Sequence, residues 1–283
     1  MEKNKIKTAL VLEGGAVQGL YSAGVLDVLM ENGLTFDAII GVSAGALFGV
    51  NYLSGQNGRA IRYNKKYNSM KGYMGFESLL KTGNIVNTEL AYEYVPKIGD
   101  PFDNEKFKKS ETPFYAVLTE IETGEAKYVR ISDVFEQMDM LRASGSMPFV
   151  SRPVEIEGRL YLDGAIVDSI PYQHMLDQGY DHLTVVLTKD ITYVKKPISP
   201  LLCRLFYHKK YPKLEEKIRD RHVMYNAQKA HLHELEAQGI AEVIRPSVPL
   251  YIGKMEKDPD KMEKLYQLGR SDAQEYLKKG GIK

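Results

Sequence analysis

Cysteine is almost missing. Cys203 is the only one in 283 residues, so no disulfide can form within the chain, and a reducing compartment fits. In LLCRLF the thiol reads as a small core hydrophobe rather than a nucleophile. Long apolar runs are missing too. The N-terminus starts charged, and its apolar stretch is only TALVL before Glu13, too short for a signal-peptide core or a spanning helix. No other window approaches the ~18 uninterrupted apolar residues of a membrane span. Charge of one sign is missing: 38 Lys and Arg against 37 Asp and Glu leave +1, which gives no global argument for nucleic acid. No cluster of His, Cys and carboxylates has ligand spacing, so neither a metal nor an organic cofactor is called for. The reading is a soluble cytoplasmic chain, with peripheral contact at the inner membrane face left open.

Hydrophobic residues at 43% and charged ones at 27% are ordinary for a globular protein, and the length suffices for a large core. Lys7–Leu12 reads as a buried strand, Glu13–Gln18 as a glycine-rich turn and Gly19–Asn32 as a helix closed by Gly33. Phe36–Ile40 is a second strand and Ala44–Leu53 a buried helix. Strand–helix–strand–helix order predicts parallel strands with helices on both faces, an α/β fold. Further on, Arg59–Ser69, Thr88–Val95 and Val134–Ala143 read as helices. Pro113–Ile121 with Glu125–Ile131, and Pro153–Ile156 with Arg159–Leu162, read as hairpins. His182–Leu187 is another buried strand, and Leu214–Gln238 and Lys261–Lys279 are long helices. With no repeat and no linker, residues 1–283 are expected to be one domain, with 200–283 a helical extension packed on it.

Three short motifs carry chemistry. Gly41-Val42-Ser43-Ala44-Gly45 follows a strand and opens a helix, as a nucleophile elbow does. Such a pattern arises roughly 0.1 times by chance in a chain of this composition. A serine that only caps a helix would leave the same trace. Gly14 and Gly15, with Ala16 after them, follow the first strand. Their backbone N–H groups suit an anion, hence an oxyanion hole, and a plain tight turn is the alternative. The dinucleotide signature G-x-G-x-x-G and the phosphate-loop G-K-[ST] are both absent there. Asp163 ends a strand before Gly164, where a structural Asp-Gly turn would also serve. A serine nucleophile ordinarily needs a histidine, yet all six histidines lie at or beyond His174, none in a catalytic setting. Asp163 is the better partner for Ser43. The small-residue segment ASGSMP, 143–148, is the kind that lines a site.

Taken together, GGAVQG (14–19), GVSAG (41–45) and DGA (163–165) resemble the patatin-like phospholipase family. ASGSMPFVSRP (143–153) is similar to the family's stretch before its aspartate. The tail segments RHVMYNAQ, IRPSVPL and YQLGRSDA are similar to a bacterial subgroup, so the likeness covers nearly the whole chain. The resemblance implies a three-layer α/β/α fold with a mostly parallel central sheet and a helical C-terminal portion. It implies a Ser–Asp dyad without histidine: Ser43 the nucleophile, Asp163 the base, and Gly14, Gly15 and Ala16 the oxyanion donors, with Gly41 and Gly45 shaping the elbow. It implies hydrolysis of lipid esters, of phospholipase A, lysophospholipase or general esterase type. Two positions depart from the pattern: Ala16 stands where the family usually has glycine, and Gln18 where it usually has Arg or Lys. The second departure keeps open a weakly active member that binds acyl lipid or a protein partner. A nucleotide-binding α/β protein is the third reading. Finally, Cys203–Arg221 carries seven Lys/Arg against three acids with Leu, Phe and Tyr interleaved. This suits an anionic lipid surface, or is a solvated helix face.

Overall fold

Short apolar runs separated by glycine turns assemble into one eight-stranded sheet. The computed structural model describes residues 6–281. Residues 1–5 and 282–283 of the expected single-domain span lie outside the described residues. In chain order the elements are β1 (Thr8–Leu12), α1 (Leu20–Glu31), β2 (Ala38–Val42), α2 (Ala44–Ser54), α3 (Arg59–Tyr67), α4 (Phe76–Thr82), a π-helix (Leu90–Gly99), α5 (Asn104–Lys108), β3 (Phe114–Glu120), β4 (Ala126–Ile131), α6 (Met138–Ser144), β5 (Val154–Ile156), β6 (Arg159–Asp163), α7 (Tyr172–Asp177), β7 (His182–Val186), α8 (Pro200–Tyr207), α9 (Pro212–Ala237), β8 (Ala241–Ile244) and α10 (Pro259–Lys278).

The sheet order is β5-β6-β3-β2-β1-β7-β8, with β4 also on β3. The five strands from β3 to β8 along that path run parallel. Strands β4 and β6 are antiparallel to β3, and β5 is antiparallel to β6. Alternation along a strand sends neighbouring side chains to opposite faces. Thus Leu10 and Leu12 of β1 join a core built with α1, α2, α3 and α10. Ala9 and Val11 join a second core with Tyr172 and Met175 of α7 and Tyr225, Leu232 and Leu235 of α9. Two cores, one on each face of a mostly parallel sheet, make the three-layer α/β/α architecture. A third, smaller cluster holds Cys203, fully buried against Leu162, Tyr207 and Ile218.

Helices α1 and α10 approach unusually closely. A Cβ on Gly24 would lie 2.1 Å from the Tyr266 carbonyl oxygen, and one on Gly269 would lie 2.0 Å from the Tyr21 carbonyl oxygen. Each glycine lets the other helix's backbone in.

Some elements differ from the sequence reading. The C-terminal portion is not wholly helical, because β8 adds a parallel edge strand beside β7. The helix expected over Val134–Ala143 starts only at Met138. Asp133 accepts from the N–H groups of Phe135 and Glu136, and Gln137 accepts from those of Ser132 and Asp133, so local turns consume the donors first. The helix expected to stop at Val95 instead continues through Pro96 to Gly99 as a π-helix.

Candidate active site

Ser43 sits between β2 and α2 with φ 55° and ψ −126°. An L residue held there stores on the order of 1–3 kcal/mol of backbone strain. Gly41 and Gly45 face each other across this turn. The strand delivers the serine to the carboxyl edge of the sheet and α2 carries the chain away, leaving the hydroxyl at a helix N-terminus.

Asp163 reaches the same point through strand pairing. Val42 of β2 pairs with Val117 of β3, and Asp163 of β6 pairs with Leu118, the next rung. Strand β4 occupies the other edge of β3 along both rungs, so β2 and β6 lie end to end on one edge. Their ends meet, and Ser43 Oγ donates to Asp163 Oδ2 at 2.7 Å. The second carboxylate oxygen accepts from Ala165 N–H at 2.9 Å. Both residues are buried. Burial pushes the Asp163 carboxyl above the usual carboxylate range; the positive field of Arg221, the Ala165 N–H and the Ser43 hydroxyl pull the other way. Segment 143–148 clamps both sides: Ser144 Oγ accepts from Ser43 N–H at 3.0 Å, and the Ser146 carbonyl accepts from Asp163 N–H at 2.9 Å.

The glycine loop runs alongside. A Cβ on Gly14 would lie 2.6 Å from Ser43 Cβ, so only glycine allows the loop so near the hydroxyl. Among the described residues, no carbonyl or side chain accepts from the N–H groups of Gly14, Gly15 or Ala16. Three consecutive donors are thus available next to Ser43. Ala16 has φ 51°, a left-handed conformation that disfavours a Cβ. Ala16→Gly is therefore expected to stabilise the fold by about 0.5–1 kcal/mol, read as a Tm increase of about 1–4 °C by calorimetry.

Gln18, which departs from the family pattern, is not left without a cation. Its side-chain oxygen accepts from Lys189 Nζ and its amide donates to the Ile252 carbonyl at 2.8 Å. The Lys254 carbonyl accepts from Val17 N–H at 3.2 Å, so the loop is pinned by two distant segments. Glu13 closes the loop from behind: it accepts from Thr188 N–H at 2.6 Å and from Tyr225 OH at 2.9 Å. Burial raises its carboxyl above the usual range, opposed by those two donors and by Lys189.

Two cavities open on Ser43. One is lined mainly by apolar groups such as Leu47, Phe48, Val86, Val95 and Leu141. The other is polar and is lined by Glu13, Asp163, Lys189, Lys195, Arg221 and Lys254. Ala16, Ser43, Met147 and Lys254 belong to both walls. No histidine lines either cavity. His174 stacks on Tyr128 at 3.7 Å, His208 lies 2.8 Å from Glu215 and His231 lies 3.1 Å from Tyr172 OH. The geometry permits direct proton exchange between Ser43 and Asp163, donors for a developing oxyanion, and an apolar chain on one side.

The sequence model of the patatin-like phospholipases matches residues 10–176, more than half of the 283. The chain belongs to the patatin-like phospholipase family. The matched span contains the last three residues of β1, all of β2 to β6 and most of α7, hence both Ser43 and Asp163. A second model, a domain of unknown function (DUF6363), matches residues 211–280. Among curated relatives, the chain is 30% identical over 192 residues to the uncharacterized protein YjjU of Escherichia coli, covering 64% of this chain and 52% of that one. It is 29% identical over 182 residues to lysophospholipase nte1 of Aspergillus fumigatus, covering 62% of this chain and 12% of that one. The chain thus spans about half or less of the length of these relatives. Among solved structures, VipD from Legionella pneumophila superposes with a TM-score of 0.48 at 13% identity, over 97% of this chain and 67% of that one.

The sequence reading of this patatin-like site did not include Ser144 as a residue bonded to the elbow, nor Lys189, Lys195, Arg221 and Lys254. Lys195 and Lys254 carry no local pattern, and the patterns that include Arg221, RHVMYNAQ and the basic run Cys203–Arg221, do not point to this cavity. Only Lys189 had a visible signal: it follows a strand, as Glu13 and Ser43 do.

Proposed function

We propose that the chain is a serine hydrolase of lipid carboxylic esters, with Ser43 as nucleophile and Asp163 as base. The 2.7 Å hydrogen bond between them, at the mouth of an apolar cavity, carries this reading. Ser43 Oγ attacks the ester carbonyl carbon as its proton passes to Asp163 Oδ2. The carbonyl oxygen becomes negative beside the N–H groups of Gly14, Gly15 and Ala16. In a serine protease one such donor contributes about 3–4 kcal/mol, so this loop supplies a large share of the catalysis. The carbon–oxygen bond to the alcohol then breaks, and Asp163 returns the proton to the departing oxygen. Water attacks the acyl-enzyme by the same roles, freeing the fatty acid and restoring the Ser43 hydroxyl. The cation on Gln18 supports an active member over an inactive binder, since Lys189 supplies the charge that position 18 lacks.

The same reading treats the chain as one unit with residues 200–283 packed on it, working in the cytoplasm in peripheral contact with membrane. Leu201 and Leu205, one turn apart on α8, are 76% and 78% exposed, and Phe206 beside them is 52% exposed. Among the described residues no helix is long and apolar enough to cross a membrane. A fluorophosphonate probe is expected to label the wild type at Ser43 and to leave folded Ser43→Ala unlabelled, with turnover of p-nitrophenyl butyrate lost in that variant. Labelling or turnover that survives in Ser43→Ala overturns the proposal.

A further inference from the structure

Asp163 lines the polar cavity and not the apolar one. The proton it takes from Ser43 has to return to the departing alcohol. The alcohol half of the substrate therefore occupies the polar cavity and the acyl chain the apolar one. Four cations line that polar cavity, Lys189, Lys195, Arg221 and Lys254, against two acids, Glu13 and Asp163.

The acids act on these charges through space, without a direct ion pair among the described residues. Glu13 is held by Tyr225 and Thr188, and Asp163 by Ser43 and Ala165. Lys189 is engaged with Gln18. Among the described residues, no hydrogen bond or ion pair satisfies the head groups of Lys195, Arg221 or Lys254, and Arg221 Nε is a buried donor without a partner. Lys195 Nζ has only the Tyr225 ring, 4.7 Å from its centroid. Burial, followed by repulsion from Arg221 and Lys254, pushes the Lys195 ammonium down to about 7. A buried donor without a partner destabilises the fold, and an anion in the cavity would remove that cost and the repulsion together. The three side chains come from separate segments: Lys195 precedes α8, Arg221 lies on α9 and Lys254 precedes α10. All three lie beyond residue 176, outside the part matched by the patatin-like model. Their backbones are fixed: Asn226 bonds both the N–H and the carbonyl of Lys195, and the Lys254 carbonyl bonds the oxyanion loop. Lys195, Arg221 and Lys254 also line an outer cleft that leads to solvent past Pro197 and His222.

We propose that Lys195, Arg221 and Lys254 form a subsite for a phosphate group on the alcohol half of the ester, so that the substrate is an anionic acyl phosphoglyceride rather than a neutral glyceride. This rests on the hydrolase reading above and adds the class of leaving group. Arginine supplies paired donors for phosphate oxygens and the two lysines supply point charges.

The test compares 1-oleoyl lysophosphatidic acid with 1-monooleoylglycerol, which share the acyl chain and glycerol and differ in the phosphate. Below their critical micelle concentrations, wild-type kcat/KM is expected to be at least tenfold higher for the lysophosphatidic acid. In Arg221→Met and in Lys195→Met that ratio is expected to fall at least fivefold, with Arg221→Lys keeping part of it. A wild-type ratio near or below one, or variants that slow both substrates equally, overturns the subsite while leaving the hydrolase intact. Calorimetry on Ser43→Ala decides the subsite even if the wild type cleaves neither substrate. Lysophosphatidic acid is expected to bind at least tenfold more tightly than monooleoylglycerol. Equal binding of the two lipids, or inorganic phosphate alone binding as tightly as the lysophosphatidic acid, overturns the headgroup assignment.

Discussion

Asp163→Asn is expected to lower kcat on a short p-nitrophenyl ester by about 10²–10⁴-fold, the share of a positioned general base, and to raise Tm at neutral pH by about 2–4 °C. The two effects have one origin. Burial holds the native carboxyl above its unfolded value, so ionising it in the fold costs more than ionising it in the unfolded chain. The carboxyl form thus contributes stability that is complete below the unfolded pKa and is lost as pH rises through the native one. The Asn variant keeps that stability at every pH. The Tm difference between variant and wild type should therefore be smallest in acid, below about pH 4, and reach its full size above the native pKa. Catalysis has the opposite slope, because the base must be ionised. The acid limb of kcat/KM is expected above the range of an exposed aspartate. Calorimetry across pH and a pH–rate profile check both halves. An Asn variant of near-wild-type activity removes Asp163 from the mechanism.

Gly269→Ala is expected to destabilise the protein by about 3 kcal/mol or more, a Tm decrease of about 6–12 °C. The added methyl would lie 2.0 Å from the Tyr21 carbonyl oxygen, and a backbone atom within a helix cannot move alone. Gly24→Ala meets Tyr266 in the same way from the other side. Because either change forces α1 and α10 apart, the double variant should cost less than the sum of the singles, a coupling a double-mutant cycle measures. Activity should fall as well. The segment leading into α10 carries Lys254, whose carbonyl holds Val17, and Ile252, whose carbonyl holds Gln18. Displacing α10 loosens the loop that faces Ser43.

The first half of the site was legible because its signals are local. A glycine loop after β1 and an elbow after β2 are each five or six residues long, and parallel neighbours bring their ends together. Asp163 was reached by setting the histidines aside and through the resemblance, not from local pattern, since its meeting with Ser43 depends on β2 and β6 sharing one edge of β3. No periodicity in residues 154–163 encodes which edge they choose. Strand β8 was missed because AEVI is four residues with a glutamate among them, and its place is set by β7 rather than by its own pattern. The α6 start was misjudged because Asp133 and Gln137 side chains compete for backbone donors, a contest that apolar spacing does not reveal. The roles of Lys195, Arg221 and Lys254 in the polar cavity were invisible for the same reason as the Gly24–Gly269 contact: both arise from segments that meet only after the sheet has formed.

The end-to-end seating of β2 and β6 on a single edge leaves the Ser43–Asp163 hydrogen bond no slack. Side chains alternate between faces, so sliding β6 by one position would turn the Asp163 carboxylate to the far side of the sheet and set Leu162 or Gly164 opposite Leu118 instead. A deletion in the Val154–Leu162 hairpin that shifts β6 by one rung would thus part Ser43 from Asp163 without touching either residue. Natural variation in length should accordingly accumulate in loops that do not feed this rung.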